Sequence, residues 1–160
     1  MEKMRSEERN AASSTELLNH LAHLPVERDT AEHYRGYLSR QLVMNRCADC
    51  QRWHHPMRPM CPACWSGNVE PTPLSGRGTV HLFMLLHQGP PADGVDYSKA
   101  PHPVVTVDLS EQEGLRFTST MVDCPLAEIR IGMPVEMTWI ERNGSPYPAF
   151  RPVSLARKGV

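Results

Sequence analysis

Four cysteines constrain this chain more than any other feature of its sequence. They form two Cys-x-x-Cys pairs, Cys47 with Cys50 and Cys61 with Cys64, and ten residues separate the pairs. Two tight turns of this kind can bring four sulfur atoms to the corners of a tetrahedron around Zn²⁺, at metal–sulfur distances of about 2.3 Å. Because four thiolates leave no coordination position for water or substrate, the sequence predicts a structural zinc site on a small two-stranded ribbon.

Two other uses of these sulfur atoms have to be weighed. An odd total of five cysteines, four of them in close pairs, favours metal binding over disulfides in a reducing compartment. Iron in an electron carrier could use the same four sulfur atoms. Zinc is favoured because it needs no redox partner, and visible colour in the purified protein would distinguish iron from zinc.

The residues beside the cysteines have simpler interpretations. His54 and His55 lie in the spacer, and since four cysteines complete the metal site we expect both to be surface histidines. Gln51 and Trp65 follow the two pairs, at positions where glycine is often preferred because a positive φ costs other residues about 1–2 kcal/mol. Cys124 is predicted to be a small structural hydrophobe rather than a nucleophile.

The charge balance excludes several classes of partner. There are 17 Lys and Arg residues against 18 Asp and Glu, so no chain-wide basic field exists to attract nucleic acid or anionic membrane. The longest apolar run, 82–86, is far shorter than a membrane span. Because the first residues are polar and contain no apolar signal core, we expect a cytoplasmic protein with no membrane partner.

Helices are predicted first and strands afterwards, because only one of the 15 prolines lies before residue 56. Ser13 to Glu16 has the spacing of a capping box before a leucine stripe that Pro25 ends. Asp29 to Glu32 repeats that spacing before a second helix, which should end near Arg40. Both helices are short and should pack on the rest of the chain or on another subunit.

From Gly78 onward the hydrophobic period is close to two, which is typical of strands. Strands are predicted over 80–86, 104–109, 115–121 and 135–139, with one helical turn over 125–129. A fifth strand near 148–153 should be irregular or at an edge, because Pro148 and Pro152 cannot donate to a ladder. Five strands with a helical element after the third is the order of an OB-fold barrel. The long connection 88–102 is either a ligand-binding loop of that barrel or a disordered surface loop.

These patterns together predict a mostly β protein with N-terminal helices, in which a zinc ribbon precedes a five-stranded OB-fold barrel. The predicted divisions are a disordered tail over 1–14, helices over 15–42, the ribbon over 43–74 and the barrel over 75–155.

A modest positive patch is predicted beside the metal. Residues 33–60 carry five arginines against Asp49 alone, a local charge of +4 before the thiolates are counted. Guanidinium groups suit phosphate oxygens, either of nucleic acid or of the pyrophosphate of coenzyme A. Arg46, Arg52 and Arg58 are therefore the candidate CoA or phosphate contacts, although for any one of them a solvated arginine is the slightly favoured interpretation.

The order of several short motifs resembles a known family, the acyl-CoA-associated OB-fold proteins with an N-terminal rubredoxin-like zinc ribbon, long catalogued as a domain of unknown function. The resemblance covers about 30–153. Its motifs are His33-Tyr34-Arg35-Gly36-Tyr37-Leu38, the two cysteine pairs with Pro56 and Arg58, Ser75-Gly76-Arg77-Gly78-Thr79-Val80, Pro103-Val104-Val105-Thr106-Val107-Asp108-Leu109, Ile131-Gly132-Met133-Pro134-Val135 and Pro148-Ala149-Phe150-Arg151-Pro152. Where the family usually has glycine after the first cysteine pair, this chain has Gln51.

The resemblance implies a non-catalytic accessory subunit that binds and stabilises a thiolase-like enzyme, whether thiolase, acyltransferase or retro-aldolase. It also implies contact with acyl-CoA through that complex. The alternative is a module that binds single-stranded nucleic acid, because zinc ribbons and OB-folds both recur in such proteins. That alternative is disfavoured because residues 77–160 carry 8 basic against 9 acidic side chains, and because Phe83, Phe117 and Trp139 fit core positions.

Overall fold

The computed structural model describes residues 13–21 and 23–153. Residues 1–12 of the predicted tail and residues 154–155 of the predicted barrel lie outside the described residues. The elements are α1 (Ser14–Leu21), α2 (Ala31–Leu38), β1 (Val43–Cys47), β2 (Trp53–His54), β3 (Val69–Pro73), β4 (Arg77–Leu86), β5 (His102–Leu109), β6 (Arg116–Met121), a 3₁₀ turn (Leu126–Glu128), β7 (Pro134–Arg142) and β8 (Ser145–Pro152).

The described residues form two compact units. The first contains the chain up to Ser75 together with Trp139–Tyr147, and the second contains Gly76–Thr138 with the chain from Pro148 onward. The far half of the β7–β8 hairpin thus belongs to the first unit. The predicted domain boundaries remain predictions. No helix among the described residues has both the length and the apolar character that a membrane crossing requires.

Helix α1 begins with the reciprocal contacts that its sequence predicts. The backbone N–H of Glu16 donates to Ser13 Oγ at 3.2 Å, and the backbone N–H of Ser13 donates to Glu16 Oε2 at 2.6 Å. The helix ends at Leu21, earlier than predicted, and the N–H of Leu24 then donates to the Leu21 carbonyl at 2.9 Å in a tight turn.

The capping box predicted from Asp29 is wrong, because Thr30 occupies the N-cap of α2 and makes no side-chain cap. The Thr30 hydroxyl instead accepts from the backbone N–H of Glu27 at 2.9 Å and donates to the Pro25 carbonyl at 3.1 Å. These two bonds hold the turn that leads into the helix.

Gly36 allows helix α2 to lie against the chain that follows it. A Cβ atom at this position would be 2.4 Å from the Gln41 carbonyl oxygen and 2.9 Å from Val43 Cγ2. The Gly36 carbonyl also accepts the backbone N–H of Gln41 at 2.7 Å. Although glycine costs helix stability relative to alanine, this close approach requires it.

His33 is a buried polar residue that links α2 to β1. Its side chain is only 4% exposed. Its Nδ1 atom lies 2.6 Å from the Val43 carbonyl oxygen, and its Nε2 atom lies 3.2 Å from the Tyr37 hydroxyl oxygen. A neutral ring that donates from Nδ1 and accepts at Nε2 satisfies both contacts. Burial lowers the pKa of His33 below its ordinary 6.5, against a smaller opposing effect of the Val43 carbonyl.

We expect the stability of the chain to fall on mild acidification because of His33. A depressed pKa in the folded state means that the unfolded chain takes up the proton first, so this contribution is present above about pH 6.5 and is lost below it. Between pH 7.5 and pH 6 it should lower the free energy of unfolding by up to about 0.8 kcal/mol. Urea unfolding at the two pH values measures this change. His33→Gln should reduce the slope of this profile without abolishing it, because desolvation also lowers the pKa of His54 and of His55. Parallel profiles for the two proteins would contradict the assignment.

The ribbon is a three-stranded antiparallel sheet in the order β2-β1-β3. Strand β3 extends the predicted two-stranded ribbon. It pairs over its whole length with β1, from Val43 opposite Pro73 to Cys47 opposite Val69. Its two prolines disguise it in the sequence, but prolines are tolerated in an edge strand.

Strands β4 to β8 form a closed barrel in the order β4-β5-β6-β8-β7, which confirms the predicted OB-fold and its helical turn after the third strand. Alternate residues of β5 point inward, and the Phe117 and Phe150 rings meet edge to face at 6.3 Å between centroids. The largest fully buried side chains of the barrel are Val80, Val105, Val107, Val135, Pro148 and Phe150.

The last strand was predicted to be irregular or at an edge, and the edge position is wrong. Strand β8 sits between β6 and β7 in the closed barrel. Its parallel ladder with β6 is confined to Ala149 and Phe150, so Pro148 and Pro152 flank the pairing instead of interrupting it. Pro148 also contributes its carbonyl, which accepts from Ser119 Oγ at 2.5 Å.

Candidate metal centre

The two cysteine pairs fold into nearly identical turns. The backbone N–H of Gln51 donates to the Cys47 carbonyl at 2.9 Å, and that of Trp65 donates to the Cys61 carbonyl at 2.9 Å. Both donors have positive φ, +64° for Gln51 and +62° for Trp65. Each turn therefore places a residue other than glycine in the left-handed region, at a cost of about 1–2 kcal/mol.

The four cysteine sulfur atoms lie within 4.8 Å of one another. The Sγ atoms of Cys47 and Cys64 are 3.6 Å apart, as are those of Cys50 and Cys61. A tetrahedron with metal–sulfur bonds of about 2.3 Å has edges of about 3.8 Å, close to the two distances of 3.6 Å, so the cluster suits Zn²⁺. Cys47 and Cys61 are fully buried, whereas Cys50 and Cys64 are exposed.

Backbone N–H groups point at the sulfur atoms. Donors at Ala63 and Cys64 lower the pKa of the Cys61 thiol to about 7. The N–H of Ser66 acts in the same direction on Cys64, but the neighbouring thiols outweigh it and raise the pKa of Cys64 to about 12. Since crowded thiols resist ionisation together, a cation that binds their deprotonated forms matches this donor set.

Asp49 ties the first turn to the chain that follows the second. Its carboxylate accepts from the Ser66 hydroxyl and, at 3.1 Å, from Asn68 Nδ2. The backbone N–H of Ala48 also donates to the Asn68 carbonyl at 2.9 Å. Sequence reasoning missed this network, although an aspartate within one turn and Ser and Asn after the other are residue types that form such bonds.

The three candidate arginines have different surroundings. The Arg46 guanidinium lies 5.4 Å from the centroid of the Trp53 ring, and its Nε donates to the Gln51 carbonyl at 3.4 Å. Arg52 and Arg58 are exposed, and neither forms an ion pair within the part of the chain that the structure describes. Arg46 is thus held in place, and Arg52 and Arg58 are available to a binding partner.

The prediction that both spacer histidines lie on the surface is wrong for His54. Its side chain is only 7% exposed, because β2 pairs with β1 and turns this ring inward. His55 is exposed, and its ring centroid lies 5.3 Å from that of His33. Neither histidine belongs to the sulfur cluster.

A second polar cluster lies on the outside of the barrel. The β4–β5 register shifts between Val80 and Leu82, which leaves His81 as an extra residue. His81 Nδ1 lies 2.9 Å from Asp108 Oδ2, and Arg116 Nε donates to Asp108 Oδ1 at 2.8 Å. The Arg116 bond is the main cause of a lowered pKa at Asp108. An open groove of about 470 Å³ lies beside this cluster.

A chain that joins a four-cysteine ribbon to a closed five-stranded barrel is a zinc-ribbon and OB-fold protein. Two family models match it: the ChsH2 rubredoxin-like zinc ribbon domain over residues 38–70, and the ChsH2 C-terminal OB-fold domain over residues 71–139. The chain belongs to this ChsH2 (DUF35) family, which confirms the resemblance, the fold class and a structural zinc ion as the cofactor.

Three relatives illustrate the range of the family. A "DUF35 domain-containing scaffold protein" of Methanothermobacter thermautotrophicus is 35% identical over 61% of this chain and 71% of its own length. A "Probable enoyl-CoA hydratase alpha subunit" of Thermomonospora curvata is 34% identical over 79% of this chain, but the match spans only 38% of that protein. The solved "Ltp2-ChsH2(DUF35) aldolase" contains a chain that is 33% identical, with a TM-score of 0.70 over 80% of this chain and 97% of that one.

Proposed function

We propose that this chain is a non-catalytic accessory subunit that binds and stabilises a thiolase-like, acyl-CoA-processing enzyme in the cytoplasm. One observation carries the proposal: the similarity extends over 97% of a chain that was solved as part of an aldolase assembly. The name of one relative, a scaffold protein, is consistent with a companion role, and that of another, an enoyl-CoA hydratase alpha subunit, with CoA chemistry.

The metal centre supports a structural contribution to that role. Four sulfur ligands close the coordination of zinc, so the ion holds the ribbon together and offers no position to a substrate. Binding of this kind is worth about 10–16 kcal/mol in isolated zinc fingers, which is enough to order a lobe with little core of its own. A lobe fixed in this way can present a constant surface to another protein.

The candidate arginines give the assembly a way to contact its substrate. Coenzyme A carries several phosphate oxygens, and guanidinium groups bind phosphate with charge-assisted hydrogen bonds. Arg52 and Arg58 have unpaired charge among the described residues, and Arg46 belongs to strand β1 of the same ribbon. We assign these three residues to the phosphates of the CoA that the companion enzyme holds.

Purification of the tagged full-length chain from its own cells tests both assignments. Wild-type protein should bring down a CoA-processing enzyme of the thiolase class, identified by mass spectrometry, and the purified assembly should bind CoA. The double variant Arg52→Glu and Arg58→Glu should still recover the enzyme, with CoA affinity lowered at least about tenfold, because each lost charged hydrogen bond is worth about 1.5–3 kcal/mol.

The two readouts separate the two parts of the proposal. Recovery of no such enzyme with the wild-type chain would refute the accessory role. Unchanged CoA affinity in the double variant would remove Arg52 and Arg58 from CoA contact. Loss of the enzyme itself from the double variant would reassign these arginines to protein docking.

A further inference from the structure

The exposed side chain of Trp65 is the most unusual surface feature of the ribbon. It is 73% exposed, the largest value among the exposed large hydrophobic residues of the described chain. Met60, 48% exposed, lies on the other side of the second cysteine pair. Single exposed hydrophobic residues are common on protein surfaces, so exposure alone does not assign a role to Trp65.

Comparison of the two cysteine turns supplies the second observation. Gln51 and Trp65 occupy equivalent positions, with the same positive φ and the same backbone hydrogen bond. The Gln51 side chain turns back and donates from Nε2 to the Ala48 carbonyl at 2.5 Å, which stabilises its own turn. The Trp65 indole makes no ring contact with any described residue.

Trp65 therefore costs the free chain stability through backbone strain, and its exposed ring gains little free energy from burial in return. Glycine would avoid the strain. Such a residue is explained if another molecule covers it, because tryptophan, methionine and arginine are enriched at the centres of protein interfaces.

The charges of the same lobe indicate what kind of molecule covers Trp65 and Met60. Arg52 and Arg58 belong to the same lobe and have no ion pair among the described residues. A second copy of the chain would bring its own arginines to the patch and add like charges. An enzyme that carries polyanionic CoA near its surface complements them.

We propose that Trp65, supported by Met60 before the same cysteine pair, is the anchor by which the ribbon docks on the companion CoA enzyme. This inference rests on the proposed function and adds the residue on which the contact depends. Trp65 fills an apolar depression on the enzyme, and the arginines lie at the rim of the contact, toward the bound CoA.

Substitution of Trp65 by glycine separates docking from folding, because the two properties should change in opposite directions. In Trp65→Gly the free full-length chain should keep its zinc, and its Tm should rise by about 2–4 °C as the strain is relieved. Its affinity for the enzyme that the wild-type chain recovers, purified and titrated by calorimetry, should fall at least about 30-fold. Met60→Ser should weaken the same binding less.

Ile131→Ser provides a matched control. Ile131 is 67% exposed on the barrel unit, so this variant also removes an exposed apolar side chain but should bind the enzyme like the wild type.

If Trp65→Gly binds that enzyme with wild-type affinity, the anchor is refuted and the accessory role stands. If the wild-type chain recovers no CoA enzyme, the proposed function is refuted, and the anchor proposal, which rests on it, is refuted with it. If sedimentation of the wild-type chain alone shows a dimer that Trp65→Gly abolishes, a second copy covers the patch and the proposal is overturned.

Discussion

Replacement of Cys61 by serine should remove the bound zinc and unfold the ribbon. Cys61 is fully buried, its Sγ lies 3.6 Å from that of Cys50, and two backbone N–H groups point at it. A serine hydroxyl is a poor ligand at neutral pH, so most of the metal-binding free energy, about 10–16 kcal/mol in isolated fingers, should be lost. Metal analysis should show well under one zinc per chain, and both solubility and enzyme binding should fall together.

Cys124→Ser is the control for that experiment. Cys124 lies outside the sulfur cluster, so this variant should keep its zinc and its partner. If Cys61→Ser remained folded and bound to the enzyme, the metal would not be needed for the shape of the ribbon. Absorption bands in the visible range for the wild-type protein would instead indicate iron.

Truncation of Phe150 to alanine should be the most damaging single change in the barrel. Phe150 is fully buried and packs edge to face against Phe117. Removal of a buried phenylalanine ring lowers the free energy of unfolding by about 3–5 kcal/mol, because apolar burial is lost and a cavity remains. That is a large share of the roughly 5–15 kcal/mol that stabilises a typical domain, so the midpoint of urea unfolding should drop sharply.

Phe150→Leu should be milder because leucine refills most of the volume, with a loss of about 1–2 kcal/mol that includes the aromatic contact. Equal losses for the two variants would show that packing against Phe117 and not cavity volume dominates at this site. Zinc content should remain at the wild-type value in both, which separates damage to the barrel from damage to the ribbon.

The parts of the fold that follow from local periodicity could be predicted from the sequence. Alternating valines predicted β5 because its inward residues contact a core on one side only. The edge strand β3 was hidden by Pro71 and Pro73, which lower strand propensity although an edge tolerates them. The central place of β8 was hidden for a different reason, because closure of a barrel is a property of the whole sheet that no single strand reveals.

The sulfur ligands of the metal centre could be predicted from the sequence, whereas the contacts around them could not. Two Cys-x-x-Cys pairs predict four converging sulfur atoms because the ligand spacing alone fixes the local geometry. The inward turn of His54 depends on strand pairing, which the spacer sequence does not encode. The Asp49 bonds to Ser66 and Asn68 join residues 17 and 19 positions apart, beyond the range of local patterns.

The hairpin that leaves the barrel carries a consequence for any dissection of this chain. Trp139 and Tyr147 lie 5.6 and 6.4 Å from Tyr37 between ring centroids, and Ser145 Oγ donates to the His20 carbonyl at 2.9 Å. The lobe that begins at the amino terminus is therefore finished by a segment encoded more than sixty residues after Ser75. If the chain were divided between ribbon and barrel, the first fragment would lack Trp139 and Tyr147, and the second would expose them to solvent. Expression of either fragment alone would therefore require a redesigned hairpin tip.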